Sequence, residues 1–310
     1  MPGDKKILLV ALGGNALIKK GQTGTVKEQF DNLRRPVRRI AKLSDSQRVI
    51  ITHGNGPQVG SLLLMQERSE IEPKLPLEIL VAQTQGWLGY MIESTLDTEL
   101  MNLNPNNKKR IVSLISYVVV DPDDPAFKNP EKPIGPSFTR EQAKSLPYPT
   151  RETAKGFRRV AASPRPVTIV EKREIKKLID MDFIVICCGG GGIPVIRNGR
   201  TFCGVNAVID KDLASAKLAE EVGADLFVMA TDTPGAALDF GGPNQRFLRE
   251  ITVSQALKHL GAGAFPPGSM GPKIEAAVSF VEKRKGRAVI CHTSDIEAAV
   301  KGLAGTEITS

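Results

Sequence analysis

The chain of 310 residues is long enough to bury a large core, in one large domain or two smaller ones. With 41% hydrophobic and 25% charged residues, it has the composition of an ordinary soluble globular protein. An excess of 42 basic over 34 acidic residues gives a net charge of +8, which suits phosphorylated ligands or nucleic acid. Aromatic residues make up only 5% of the chain, too few for a surface that stacks bases, so we expect no nucleic-acid partner.

The cysteines indicate a reducing compartment. All four lie in or beside apolar runs and lack the C-x-x-C spacing of a zinc site, so we expect buried free thiols and no metal-ligating side chains. The apolar run near the start, residues 7–12, is too short for a signal peptide, and no uncharged run is long enough to span a membrane. These features predict a cytoplasmic protein without a membrane partner.

The first hundred residues alternate between apolar runs, glycine turns and helical patterns. Residues 6–12 and 48–52 are predicted strands, and each ends in glycines. Helical periodicity predicts helices over 29–43, from residue 62, and over 76–100. Strands that alternate with helices in this way predict an α/β fold with a mainly parallel sheet, which binds its ligands at the carboxyl ends of the strands.

The pattern changes between residues 110 and 166. Residues 110–120 are rich in β-branched side chains and predict one long strand or a hairpin arm. Nine prolines then break every periodicity over residues 121–166. Long irregular stretches inside compact domains tend to be lids or binding loops, so we predict a small protruding lid that carries Lys132 on a stiffened loop.

The second half returns to strands that end in glycines. Residues 183–186 form an apolar run that stops at Cys187-Cys188 and a run of four glycines, and Asn198-Gly199 predicts a hairpin between two short strands. Residues 226–230 and 288–291 are further predicted strands, and 252–260 is a short predicted helix. All of this continues the α/β pattern.

Two lysines are predicted at helix starts. Lys211 begins a helix that Asp210 or Asp212 can cap, and Lys273 follows Pro272, which we place at the first position of another helix. A lysine at a helix N-terminus is electrostatically disfavoured unless an anion is present. The repeated arrangement therefore favours a phosphate-binding role over two solvated surface lysines.

The glycines do not match the common nucleotide motifs. A P-loop needs a Gly-Lys dipeptide, which the chain lacks, and the glycine spacing over residues 54–60 is one residue too long for a dinucleotide-binding dehydrogenase. His53, His259 and His292 have no partner spacing, and His53 is predicted to be structural. What remains suits phosphoryl transfer, which depends on positioning and on neutralising negative charge. We choose Lys132, Lys211 and Lys273 as the residues that carry it.

Six motifs in order along nearly the whole chain resemble those of carbamate kinases, of the amino acid kinase superfamily. They are Ala11-Leu12-Gly13-Gly14-Asn15-Ala16-Leu17, Gly54-Asn55-Gly56-Pro57-Gln58-Val59-Gly60, Asn129-Pro130-Glu131-Lys132-Pro133-Ile134-Gly135, Gly190-Gly191-Gly192-Ile193-Pro194, Val208-Ile209-Asp210-Lys211-Asp212 and Gly268-Ser269-Met270-Gly271-Pro272-Lys273. The resemblance implies an open three-layer α/β/α sandwich and a homodimer. It also implies reversible conversion of carbamoyl phosphate and ADP to carbamate and ATP, with Mg²⁺ on the nucleotide. We assign 1–205, with the lid at 121–166, to the carbamoyl phosphate lobe and 206–310 to the nucleotide lobe.

The resemblance also implies roles for individual residues. Lys132, Lys211 and Lys273 would hold the phosphoryl group in flight, and Asp212 would orient the two lysines of the nucleotide lobe. The implied substrate-binding residues, mainly through backbone amides, are Gly13, Gly14, Asn15, Gly54, Asn55 and Gly56. The implied nucleotide-binding residues are Lys211, Thr231, Asp232, Ala237, Met270 and Lys273. Ala237 stands where the family usually has a tyrosine.

Three other functions stay open at this point. A sibling such as acetylglutamate kinase would carry a lysine in the first strand, where this chain has Ala11. A catalytically silent nucleotide-binding regulatory protein of the same fold is disfavoured by the intact lysines. A small dehydrogenase would need a spectral change with a nicotinamide cofactor.

Overall fold

The computed structural model describes residues 5–19, 21–69, 73–146, 148–153, 156–266 and 268–310. Pro147 and the side chain of Asn15 lie outside this description. The strands within these ranges are β1 (Ile7–Leu12), β2 (Arg48–His53), β3 (Arg110–Ser113), β4 (Tyr117–Val120), β5 (Lys132–Phe138), β6 (Thr150–Thr153), β7 (Gly156–Ala161), β8 (Pro166–Ile169), β9 (Phe183–Ile186), β10 (Ile193–Asn198), β11 (Thr201–Gly204), β12 (Leu226–Thr231), β13 (Ala237–Leu238), β14 (Arg246–Phe247), β15 (Glu250–Thr252), β16 (Arg287–His292) and β17 (Thr306–Thr309). The helices are α1 (Val26–Leu43), α2 (Gly56–Arg68), α3 (Leu77–Leu103), α4 (Arg140–Lys144), α5 (Lys172–Asp180), α6 (Lys211–Val222), α7 (Val253–Gly261), α8 (Met270–Arg284) and α9 (Ile296–Val300).

The centre of the fold is an eight-stranded sheet. Its strand order is β15-β17-β16-β12-β1-β2-β9-β3. Neighbouring strands are parallel except at β16 and β17, which are antiparallel. The mainly parallel sheet predicted from the alternating pattern is therefore confirmed.

Helices cover both faces of this sheet. Alternate residues of β1 enter different cores, because successive side chains of a strand point to opposite faces. Leu9 joins a core that includes Leu218 of α6 and Phe280 of α8, whereas Leu8 joins one that includes Leu33 of α1 and Leu88 of α3. The open three-layer α/β/α arrangement is confirmed.

Local sequence signals define many element ends. Thr25 and Glu28 form a reciprocal capping box at the start of α1, and Gly223 ends α6 in the left-handed region. The hairpin predicted at Asn198-Gly199 is present, with Gly199 at a φ of 59°. Helix α8 begins two residues earlier than expected, at Met270, so Pro272 lies third in the helix rather than first.

The stretch over 110–120 does not form one strand or a hairpin arm. It divides into β3, at the edge of the central sheet, and β4, in a second sheet with the order β11-β10-β4-β8. The break falls at Leu114 to Ser116, where the Ser116 amide donates to Oε1 of the Gln85 side chain at 2.9 Å. The β-branched pattern cannot show which sheet a strand joins, so the prediction was wrong at this point.

The proline-rich excursion is more regular than predicted. It contains a three-stranded antiparallel sheet, in the order β5-β7-β6, and the short helix α4. Lys132 is the first residue of β5 rather than part of a loop. Proline at strand ends and edges is compatible with pairing, which the count of prolines alone did not reveal. We use "the lid" for residues 132–161.

Two further expectations can be compared with the structure. Cys187, Cys188 and Cys291 are buried free thiols, but Cys203 is exposed on β11, which corrects the prediction of four buried thiols. Within the described ranges, no helix is both long and apolar enough to cross a membrane. The boundary between two lobes near residue 205 stays a prediction. Strands from both sides of it belong to the eight-stranded sheet, so the sheet itself does not divide there.

Candidate active site

The glycine turns after β1 and β2 lie against each other at the carboxyl edge of the central sheet. The Gly13 amide donates to the Ala230 carbonyl at 2.9 Å, and the Gly54 amide donates to the Leu12 carbonyl at 3.0 Å. A Cβ atom on Gly54 would lie 3.3 Å from the Gly14 nitrogen and 3.5 Å from Cδ of Lys211. The missing side chain of Gly54 therefore eases the close approach of the two turns and of Lys211.

These contacts change the expected role of two glycine amides. The amides of Gly13 and Gly54 are occupied by the sheet, so they do not fit the implied role of cradling a substrate. Gly14 begins a 3₁₀ turn and Gly56 begins α2, and the amides at a helix start have no intrahelical acceptor. These two amides, with that of Asn55, remain the candidates for an anion.

Asn55 lies at the start of α2 and is buried. Its side-chain Nδ2 donates to Oγ1 of Thr84 at 2.8 Å. Gly190 has a φ of 68°, and a Cβ on it would lie only 2.2 Å from the Asn55 amide nitrogen. A Cβ on Gly189, Gly191 or Gly192 would likewise collide with protein atoms, so close packing within the protein explains the glycine run that follows β9.

The lysines at the two helix starts meet at one carboxylate. Lys211 and Lys273 each place Nζ 2.7 Å from a different oxygen of Asp212. The three side chains are only 13%, 12% and 5% exposed, respectively. The predicted convergence of Lys211, Asp212 and Lys273 is present in the structure, and we call these three residues the buried centre.

The electrostatics of the buried centre favour full ionisation of the carboxylate. Burial alone would raise the pKa of Asp212, but the ammonium groups of Lys211 and Lys273 bring its pKa well below the usual range. Burial lowers the pKa of Lys211, whereas Asp212 raises the pKa of Lys273 against the effect of burial. Two cations share one anion, so the buried centre carries an excess positive charge suited to a phosphoryl group.

The lid brings the third lysine to the same place. Nζ of Lys132 lies 2.9 Å from Oδ2 of Asp210, the residue that caps α6. The lid lies close to α2, since a Cβ on Gly60 would be 3.3 Å from the Cα of Gly135. Asp210 was predicted as a possible helix cap but not as a site residue. The position of Asp210 directly before Lys211 could have indicated that it belongs to the site.

A cavity of about 380 Å³ opens beside the buried centre. All of the predicted nucleotide-binding residues line it, together with Gly13 and Gly14. Asp210, Gly268 and Ser269, which belong to the motifs quoted above, also line it, as do Thr233 and Phe240 of the 231–241 region that the resemblance assigns to the ADP site; Pro266 is the described lining residue that the sequence did not single out. Ala237 is buried in this wall, and Phe240, with 55% of its surface exposed, is an aromatic side chain close to the position where the usual tyrosine is missing.

His53 is the last residue of β2 and lies directly before the Gly54 turn. The ring is buried, its Nδ1 lies 3.1 Å from the Gly54 carbonyl, and a Cβ on Gly189 would collide with it at 2.4 Å. Burial lowers the pKa of His53 to about 4, so the ring is neutral at pH 7. The histidine is therefore placed as the structural residue that the sequence predicted.

Comparisons with known proteins agree with this geometry. The carbamate kinase of Pyrococcus furiosus is 45% identical, with 98% of this chain and 99% of that protein covered. The carbamate kinase of Haemophilus influenzae is also 45% identical, with coverage of 97% and 96%. Among solved structures, carbamate kinase from Giardia lamblia bound to AMP-PNP is 37% identical with a TM-score of 0.91, covering 100% of this chain and 99% of that one.

The mainly parallel sheet, with helices on both faces and a lysine-lined cavity at its carboxyl edge, has the architecture of the amino acid kinases. The sequence profile of the Amino acid kinase family matches residues 6–292, and the chain belongs to this family. Within the family, its full-length relatives of 40–45% identity are carbamate kinases.

Proposed function

We propose that this protein catalyses the reversible transfer of a phosphoryl group between carbamoyl phosphate and ADP, giving carbamate and ATP. The observation that carries the proposal is the convergence of Lys132, Lys211 and Lys273 on two neighbouring carboxylates beside the cavity. The full-length similarity to carbamate kinases supports the same reaction.

The chemistry requires charge and alignment rather than an acid or a base. A terminal β-phosphate oxygen of ADP, already ionised at neutral pH, attacks the phosphorus of carbamoyl phosphate. The bond from phosphorus to the carbamoyl oxygen breaks, and carbamate leaves with the electron pair. Negative charge spreads over the equatorial oxygens during this step, and fixed cations stabilise it most when they are held in place beforehand.

Each predicted catalytic residue has a place in this step. Lys211 and Lys273, held by Asp212, would contact the phosphoryl group from the nucleotide side, and Lys132 would contact it from the lid. The first residues of α6 and α8 line the cavity, and the dipoles of the two helices would add partial positive charge there. Asp212 acts by orienting the two lysines and by keeping both protonated.

The nucleotide would occupy the cavity, with its base toward Ala237 and Phe240 and its phosphates toward Lys211, Lys273 and Gly14. Mg²⁺ would enter as the metal–nucleotide complex, as part of the substrate. The carboxylates of Asp210 and Asp212 are engaged by lysines, which fits a metal carried by the phosphates rather than one held by a resident protein site.

The substrate-binding assignments stay proposals. Gly14, Asn55 and Gly56 are the candidates for the carbamoyl phosphate side, and Thr231, Asp232, Ala237 and Met270 are those for the nucleotide side. A homodimer, which would be visible by light scattering at twice the 33.5 kDa mass of the chain, belongs to the same proposal. The cytoplasmic location remains a prediction from the cysteines.

The decisive experiment measures ATP formation from MgADP and carbamoyl phosphate by the purified protein. Acetyl phosphate in place of carbamoyl phosphate, and N-acetylglutamate with ATP, serve as the matched substrate controls. We expect rapid ATP formation with carbamoyl phosphate and little with either control. Binding of ADP without turnover would instead support the regulatory protein, and phosphorylation of N-acetylglutamate would support a sibling kinase.

A further inference from the structure

The carboxylate of Asp210 makes two different kinds of contact through its two oxygens. Oδ1 accepts hydrogen bonds from the amides of Asp212, at 2.9 Å, and Leu213, at 3.3 Å, and so caps α6. Oδ2 accepts from Nζ of Lys132 at 2.9 Å. One side chain therefore joins the lid to the helix that carries Lys211 and Asp212.

The pair is placed where its charge matters. The side chains of Lys132 and Asp210 are 28% and 21% exposed, so both are partly shielded from water. Burial would raise the pKa of Asp210, but Lys132 and Lys211 lower it to a value below the ordinary one. The carboxylate is thus ionised at neutral pH, and it also lines the cavity beside the buried centre.

Other lid contacts position the backbone but leave the lysine side chain free to rotate. Gly135 lies against Gly60 of α2, and the Tyr148 hydroxyl donates to Glu67 of the same helix. Neither contact touches Nζ of Lys132, which is attached through four rotatable bonds and loses rotamer entropy when it is held in place. Within the described lid and its surroundings, Asp210 is the carboxylate that holds this ammonium.

We propose that Asp210 is the positioning residue for the lid lysine. The inference rests on the proposed phosphoryl transfer. The ionised Oδ2 holds Lys132 over the cavity before substrate arrives, while Oδ1 fixes the start of α6, so that lid and nucleotide lysines keep one common geometry. Asp210 touches no reacting atom in this scheme and acts through Lys132.

Two other roles for Asp210 predict different results. If the side chain serves only as a helix cap, any good capping residue will replace it without loss of turnover. If it acts as a brake that keeps Lys132 away from the phosphoryl group, removal of its charge will raise turnover. The substitution Asp210→Asn separates these roles, because asparagine keeps a capping oxygen and loses the negative charge.

The test is a double-mutant cycle with Asp210→Asn, Lys132→Met and the double variant, assayed for ATP formation. We expect Asp210→Asn to lower kcat by about 30-fold, less than the 10²-fold or more expected when the lysine itself is removed, with a smaller change in the KM for ADP. We expect no further loss when it is added to Lys132→Met, because the two residues act as a unit. Glu152→Gln, which breaks an exposed ion pair with Arg140 on the same lid, is the matched control and keeps kcat within about twofold.

Each result decides the proposal. A wild-type kcat in Asp210→Asn would show that Asp210 serves only as a helix cap. A higher kcat would show that it keeps Lys132 away from the phosphoryl group. Additive losses in the double variant would show that Asp210 does not act through Lys132. The acetylation rate of Lys132, mapped by mass spectrometry after brief treatment with acetic anhydride, gives a second readout without turnover, and we expect it to be faster in Asp210→Asn than in Glu152→Gln. If the wild-type protein made no ATP, the proposed function would fail, whereas an unchanged acetylation rate of Lys132 in Asp210→Asn would overturn the positioning role by itself.

Discussion

The buried centre and the lid supply the same kind of charge by different structural means. Lys211, Asp212 and Lys273 lie on α6 and α8, whose apolar sides pack fully into the core beneath the central sheet. Lys132 lies on a small three-stranded sheet with many partly exposed side chains. Polar and backbone contacts and a small apolar cluster, which includes Ile134 of the lid and Leu63 of α2, join this sheet to the rest. Two of the three cations are therefore fixed by the packing of the core, and the third is brought in by the lid.

This difference predicts which substitutions affect stability and which affect only the rate. A charge in the buried centre has a partner that would be left buried and unpaired after substitution, which costs free energy of unfolding as well as activity. A charge on the lid is partly solvated, so its removal affects the reaction more than the fold.

The largest effect is expected from Asp212→Ala, because it leaves two nearly buried ammonium groups without their anion. We expect the free energy of unfolding to fall by about 3 kcal/mol, as for other broken buried ion pairs. Turnover should fall by on the order of 10³ or more, since Lys211 and Lys273 lose their orientation together. Urea unfolding and the ATP assay measure the two effects. A free energy of unfolding close to that of the wild type would show that water or other polar groups solvate the two ammonium groups. The expected difference in stability between variants of the buried centre and variants of the lid would then be absent.

Single lysine substitutions separate effects on kcat from effects on stability. Lys132→Ala, Lys211→Ala and Lys273→Ala should each lower kcat by on the order of 10² or more, as expected for loss of a preorganised charge. Lys132→Ala should change the free energy of unfolding by no more than about 0.5 kcal/mol, as for other partly exposed charges. The two other variants should be measurably less stable than Lys132→Ala. A wild-type rate in any one of them would remove that lysine from the catalytic set.

Acid should lower the free energy of unfolding through His53, the last residue of β2. Its pKa is about 4 in the folded protein, below the ordinary 6.5, so the unfolded chain takes up a proton first as the pH falls. The contribution of His53 to the free energy of unfolding is therefore complete above pH 6.5 and is lost as the pH falls from 6.5 to 4. At pH 5 the loss amounts to about 2 kcal/mol. Urea unfolding at pH 8 and pH 5 measures this loss, and His53→Gln should flatten it even if that variant is less stable throughout. An equal slope in both proteins would assign the acid sensitivity elsewhere.

The cavity wall offers a smaller effect. Phe240 is exposed at the cavity, where the base of the proposed nucleotide would lie, and stacking on an aromatic side chain contributes on the order of 1–3 kcal/mol per base. We expect Phe240→Ala to weaken ADP binding about tenfold, measured as a Kd by calorimetry, with stability unchanged. Phe247→Ala, an exposed aromatic outside the cavity lining, is the control and should leave the Kd as it is. Equal effects in the two variants would exclude stacking by Phe240.

The smallest effect is expected on the lid contact with α2. Tyr148→Phe removes the hydroxyl that donates to Glu67 but keeps the ring that the Arg159 guanidinium covers at 4.7 Å. We expect the KM for carbamoyl phosphate to rise about twofold and kcat to stay unchanged, because one partly solvated hydrogen bond contributes little. A tenfold loss of kcat would mean that this contact, rather than Asp210, controls the delivery of Lys132.

The elements and the chemistry of this protein follow largely from local sequence. Apolar runs that end in glycine specify the parallel strands, capping residues specify the starts of α1 and α6, and Asn198-Gly199 specifies its hairpin. These signals act over a few residues, where backbone conformation and side-chain periodicity decide the outcome. The same local signals singled out Lys132, Lys211 and Lys273, and the family resemblance supplied Asp212.

What only the tertiary structure decided depends on contacts between distant parts of the chain. Lys132 pairs with Asp210, 78 residues away, and the strands of the lid pair across prolines that made the segment look irregular. The amides of Gly13 and Gly54 are occupied by neighbouring strands, and Cys203 is exposed because β11 lies at a sheet edge. Local sequence encodes the conformation of each element, but register and packing decide which elements meet, and only their meeting places three lysines on two neighbouring carboxylates.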